Sequence, residues 1–88
     1  MNTLFRSSFV RDLKKIQDPD VLTAIRAGIL HIEQAESLTD LRNLRKLTGS
    51  GSYFRLRVGD YRLGLKIDDN QVECVRCLHR RDIYRYFP

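Results

Sequence analysis

The chain has 88 residues, is 42% hydrophobic and 31% charged, and carries a formal net charge of +5. This is enough chain for one domain with a single core, expected to span residues 1–88, and too apolar for a disordered segment. No apolar run is long enough to cross a bilayer. The opening MNTLFRSSFVRDLKK has neither a continuous apolar core nor a small-residue cleavage site, so no signal peptide, no membrane partner and a cytoplasmic location are expected.

Asn2 to Arg6 reads as a short first strand. Ser7 and Ser8 follow as candidate N-caps, with Phe9, Leu13 and Ile16 at helical spacing. DPD at 18–20 then punctuates the chain, with Asp18 as N-cap and Pro19 at the first helical position. Val21, Ile25, Gly28, Ile29, Ile32 and Ala35 form one apolar stripe, which predicts a second helix ending between Glu36 and Asp40. Two helices joined this closely form a hairpin that must bury its stripe on another layer.

The second half supplies that layer. After a loop, LTGSGS at 47–52, SYFRLRV alternates: Phe54, Leu56 and Val58 on one face, Tyr53, Arg55 and Arg57 on the other. Gly59-Asp60 suits a tight turn, and YRLGLKI alternates again, setting Arg62, Gly64 and Lys66 opposite its apolar residues. Asp68-Asp69-Asn70 is a second turn, read as a turn rather than a metal cluster, and VECVRCL is a third strand. The fold class is therefore α+β: an N-terminal strand and a two-helix hairpin packed on an antiparallel meander, with a short C-terminal helical turn.

Charge is distributed unevenly. Residues 1–41 hold five Lys/Arg against six Asp/Glu, whereas residues 42–88 hold eleven against five. Arg55, Arg57, Arg62 and Lys66 share one sheet face, where like charges repel across strands. A face of this kind is compensated by an anionic ligand, and a phosphate backbone suits it. Cys74 and Cys77 form a C-x-x-C, but on a strand residues three apart point to opposite faces, and only His31 and His79 remain as further ligands. Core thiols are expected, with no metal and no cofactor; His31 reads as a helix-flank residue.

With these elements in order, YFRLRVGDYRLGLKI at 53–67 and HRRDIYR at 79–85 resemble the two signature segments of the RelE/ParE superfamily of toxins from toxin–antitoxin pairs. RSSFVRDLKKI resembles the superfamily's first helix more loosely. The resemblance covers nearly the whole chain and implies a compact microbial-ribonuclease-like fold without metal. In its RelE-type branch it implies an mRNA interferase that enters the ribosomal A site, cuts messenger, and is neutralised by a RelB-like antitoxin. Operator DNA would be contacted only through that antitoxin. ParE-type members share the fold and poison DNA gyrase, and a non-catalytic basic RNA- or ribosome-binding module is a third reading.

Metal-free RNA cleavage by the 2′-hydroxyl needs a proton acceptor, stabilisation of the phosphoryl charge, and a proton for the departing 5′ oxygen. Arg62 matches the superfamily's strand arginine and is the candidate transition-state stabiliser; Arg80 is a second clamp. Arginine at 55 and 57 replaces the lysines of the best-known RelE pattern, and arginine is a poor proton acceptor. His79 and Tyr84 are therefore the candidate acid–base groups. Arg55, Arg57, Lys66 and Arg81 are expected to bind RNA, Asp82 to cap the final turn, and Tyr86 and Phe87 to pack. The terminal segment is expected to bring His79, Arg80, Arg81 and Tyr84 to the face that holds Arg55, Arg57 and Arg62.

Overall fold

A computed structural model of the chain describes residues 1–49 and 51–88. The elements run β1 (Asn2–Phe5), α1 (Ser7–Lys14), α2 (Pro19–Gln34), a 3₁₀ turn (Leu38–Asp40), β2 (Leu44–Lys46), β3 (Tyr53–Val58), β4 (Tyr61–Asp68), β5 (Gln71–His79) and α3 (Ile83–Tyr86). They build one five-stranded sheet in the order β1-β5-β4-β3-β2. The expected meander is β3–β4–β5, closed by two-residue turns at Gly59-Asp60 and Asp69-Asn70. Gly59 and Asp69 take positive φ there, as hairpin turns of this length require.

The sheet extends beyond the meander on both sides. β1 adds parallel to β5, because the α1–α2 connection returns the chain across one face of the sheet before the meander begins. β2 adds antiparallel to β3. This strand lies in LRNLRKL, which carries no alternation long enough to announce it. Ser50 lies outside the described residues, so the expected loop at 47–52 is described except at that position.

The helices cover one face. Ile25 and Ile32 of α2 and Phe9 of α1 are buried against Leu56, Leu63 and Leu65. Asp18 caps α2 as expected, its Oδ1 accepting the Asp20 backbone N–H at 2.9 Å. α1 differs. Its N-cap position is Arg6, with no side-chain cap bond. Ser8 is turned inward instead, its hydroxyl donating to the Val75 carbonyl at 2.6 Å.

That bond marks an irregularity in β5. Gly64 of β4 faces Arg76 and Leu65 faces Cys74, so Val75 is an extra residue with no partner across the ladder. A bulge shifts the alternation of everything beyond it. Cys74 and Cys77 consequently lie in the same helix-side cluster, not on opposite faces as strict alternation predicts. Val75 faces the other way and joins Ile83 and Phe87 in a second, smaller core.

Asp12 holds the bulge from the helix side. It is the one buried charged residue among the described residues. Its carboxylate accepts from Arg76 Nε at 2.8 Å and Nη2 at 3.1 Å, and from the Cys77 backbone N–H at 2.9 Å. Removing one partner of a buried, hydrogen-bonded ion pair strands the other. Arg76→Ala, which leaves the buried Asp12 carboxylate with only the Cys77 N–H, is expected to cost about 3 kcal/mol of stability in urea unfolding, with Asp12→Ala costing less because the Arg76 side chain it strands is a quarter exposed and can reach water.

Candidate phosphate-binding site

On the face opposite α1 and α2, strands β2, β3 and β4 present arginines directly across from one another. Arg45 pairs with Arg55, and Arg57 pairs with Arg62. Together with Arg42, Asn43, Leu44 and Tyr84 they line a hollow of about 370 Å³. Like charges opposite each other on neighbouring strands destabilise a sheet. Two ion pairs form among the described residues, Arg6 with Glu73 at 2.7 Å and Arg76 with Asp12, and both lie away from this hollow. Among the described residues none of the five hollow arginines makes an ion pair. Five guanidiniums without counter-charges have the chemistry to take an anion, and their planar forks suit phosphate oxygens.

Two of them are held in place by neutral partners. Arg62 Nη1 donates to the carbonyls of Gly59 and Tyr61, at 3.0 and 2.9 Å, which anchors the guanidinium at the β3–β4 turn. The Arg55 guanidinium lies 4.4 Å from the centroid of the Tyr84 ring, a cation–π contact that also places the phenol beside the hollow. Tyr84 remains 71% exposed beside this contact.

The structure thus gathers Arg55, Arg57, Arg62 and Tyr84, and sets the other predicted residues apart from the hollow's lining. His79 is opposite Tyr61 at the last pair of the β4–β5 ladder, its ring edge-on to that tyrosine at 5.6 Å, on the helix side of the sheet. The bulge is the reason, since it moves His79 onto the face of Cys77. Its Nδ1 accepts from the backbone N–H and Nε of Arg81, at 3.2 and 3.3 Å. Arg80 is exposed in the turn after β5, with its backbone N–H on the Asp60 carbonyl at 2.8 Å. Of the four terminal residues expected on the arginine face, only Tyr84 lines the hollow. Lys66 is two strand positions beyond Gly64 and lines a separate acidic depression with Asp68, Asp69 and Glu73. Asp82 stands at the N-cap of α3 without a side-chain cap bond. Arg42 and Arg45 were missed by sequence reasoning, because β2 is too short to show the alternation that would put Arg45 on the arginine face.

Comparison with known proteins agrees with this architecture. The ParE toxin family of type II toxin–antitoxin systems matches residues 4–84. Toxin RelE3 of Methanocaldococcus jannaschii is 37% identical over 89 residues, spanning all of both chains. A chain of the RelB–RelE antitoxin–toxin complex of Methanococcus jannaschii superposes with a TM-score of 0.78 at 36% identity, covering 97% of this chain and 99% of that one. A chain of the RelBE2 complex of Mycobacterium tuberculosis gives 0.72 at 31% identity, covering 92% of each. The chain belongs to the RelE/ParE toxin superfamily. It is a toxin of a toxin–antitoxin system, on the α+β scaffold of the RelE toxins.

The remaining reactive groups of this toxin lie outside the hollow. Cys74 and Cys77 are free thiols, 0% and 2% exposed, and burial pushes both up to about 12 from near 9. The thiolate is the reactive form, so its depletion at ordinary pH makes both inert. In the folded toxin, alkylation by iodoacetamide is expected to stay negligible from pH 7 to pH 10, while the urea-unfolded chain reacts increasingly as pH approaches 9. The sign for stability follows. Above pH 9 the unfolded chain releases protons that the folded one retains, so stability falls as pH rises towards 12.

Proposed function

We propose that this toxin is a metal-free, ribosome-dependent endoribonuclease that cuts messenger in the A site and so inhibits translation. The observation that carries the reading is the uncompensated arginine hollow with a tyrosine at its rim. In this reaction the 2′ oxygen attacks the adjacent phosphorus and forms the 2′,3′-cyclic phosphate, while the bond from phosphorus to the 5′ oxygen breaks. The 2′ proton passes to solvent and the departing 5′ oxygen takes a proton from Tyr84. Arg62 and Arg57, facing each other, hold the phosphoryl oxygens where charge grows. Arg55 keeps the Tyr84 ring in place. Among the hollow's side chains, tyrosine alone carries an O–H that can pass to the leaving oxygen, since guanidinium does not give up its proton.

The hollow is open and has no enclosed slot for a base, which favours a substrate positioned by something else, and the ribosome supplies that positioning. Arg42 and Arg45 extend the cationic lining along β2 and suit the messenger's flanking phosphates. Relatives crystallised with antitoxins, including the RelB–RelE complex, support a cognate RelB-like antitoxin here, with an acidic or amphipathic segment laid on the basic face. One specific observation favours a second reading, a ParE-type gyrase poison: the family that matches residues 4–84 is the ParE toxin family.

Purified toxin added to translating ribosomes is expected to cut messenger at defined A-site positions, leaving a cyclic phosphate. Arg62→Ala should lose about 10²–10³ in kcat, or roughly 3–4 kcal/mol, and Tyr84→Phe about 10²-fold. Intact messenger alongside accumulating cleaved DNA–gyrase complexes would replace this reading with the ParE-type one.

A further inference from the structure

The C-terminal segment seats itself on the sheet at one point. Gly64 is opposite Arg55 on the next strand, and the Phe87 ring lies on its α-carbon. A β-carbon at position 64 would stand 2.7–2.8 Å from three carbons of that ring, closer than packing allows. The ring is 5% exposed, edge-on to Tyr53 at 5.6 Å, and shares its pocket with Ile83 and the bulged Val75. α3 itself is only four residues long, well below the length at which a helix stands alone in water. Its conformation therefore depends on this seat. Tyr84 lies one helical turn before Phe87, so a ring anchored over Gly64 delivers the phenol to the neighbouring cross-strand position, over Arg55.

We infer that Phe87 and Gly64 are positioning residues: the phenylalanine, plugged onto the glycine, holds Tyr84 at the arginine hollow. This rests on the nuclease reading for its kinetic consequence, but not for its geometry. The plug is separate from the hollow's own arginines, which lie on β2, β3, β4 and the segment leading into β2. Loss of the plug should therefore spare RNA binding and reduce turnover.

The test uses the full chain with Phe87→Ala, which removes the ring, and Gly64→Ala, which lifts it from below. NMR reads whether the Tyr84 ring still contacts the Arg55 side chain, while resonances of Phe9 and Ile32 report the helix-side core. The expected result is loss of the Tyr84–Arg55 contact in both variants with that core intact. On ribosomes, kcat should fall about tenfold or more with KM changed less than about twofold. In a Tyr84→Phe background the same substitutions should cost little further, because the group they position is already disabled. A persisting Tyr84–Arg55 contact in Phe87→Ala, or an equal loss of turnover with and without the Tyr84 hydroxyl, overturns the inference. A wild-type toxin that cuts no messenger defeats the nuclease reading instead, and the NMR arm still decides the positioning.

Discussion

The arrangement of this toxin depends on one extra residue. Val75 interrupts the β4–β5 ladder, and the helix side fastens the interruption with two residues a turn apart on α1. Ser8 donates to the carbonyl of Val75, the residue with no partner across the ladder, and Asp12 takes up the Arg76 guanidinium and the Cys77 N–H. An unpaired buried carbonyl or carboxylate is costly, and here each is satisfied by the other element. α1 and the bulge therefore specify one another: a one-residue slip of β5 would leave both Ser8 and Asp12 facing the wrong groups.

The consequence is a sheet with two different apolar regions. Before the bulge, Val72 and Cys74 face the helices; after it, Cys77 does, and the displaced Val75 faces the opposite side. There Val75 joins Leu47, Tyr53 and Leu78 as the apolar surface against which Ile83 and Phe87 are buried. The second core is small, but it lies beside the arginine ladder, so the sheet's cationic surface is flanked by a docked segment and not left fully open. Arg76 connects the two sides. Its guanidinium is held by Asp12 below and lies 6.0 Å from the Tyr86 ring above.

Much of this was legible in the residues. The α2 stripe, the Asp18-Pro19 start and the alternation of β3 and β4 rest on local periodicity, which a window of ten residues contains. So does the shared face of Arg55, Arg57 and Arg62. What was hidden depends on partners distant in sequence. Ser8 has the chemistry of a helix cap, and only the position of Val75, 67 residues away, explains its inward turn. β2 is three residues long, so Arg45 gives no sign of belonging to the arginine ladder. VECVRCL does break its alternation where Val75 follows Cys74, but two adjacent apolar residues read equally as a strand buried on both faces, so the break alone does not announce a bulge. Both misplacements, the cysteines set on opposite faces and His79 on the arginine face, come from that one missed residue.

The electrostatics of the hollow explain why its tyrosine must be held by packing. Five guanidiniums repel one another and also any cationic side chain that would serve as a proton carrier among them. A neutral phenol escapes this repulsion and gains from the cation–π contact with Arg55. That contact alone is weak at an exposed position, about 0.5–1 kcal/mol, comparable with the freedom the side chain gives up on ordering. Burial of Phe87 and Ile83 stabilises the segment more, by about 1.5–3 kcal/mol for each fully buried side chain. The orientation of the exposed tyrosine is thus set less by what it touches than by the buried neighbours on either side of it in the chain.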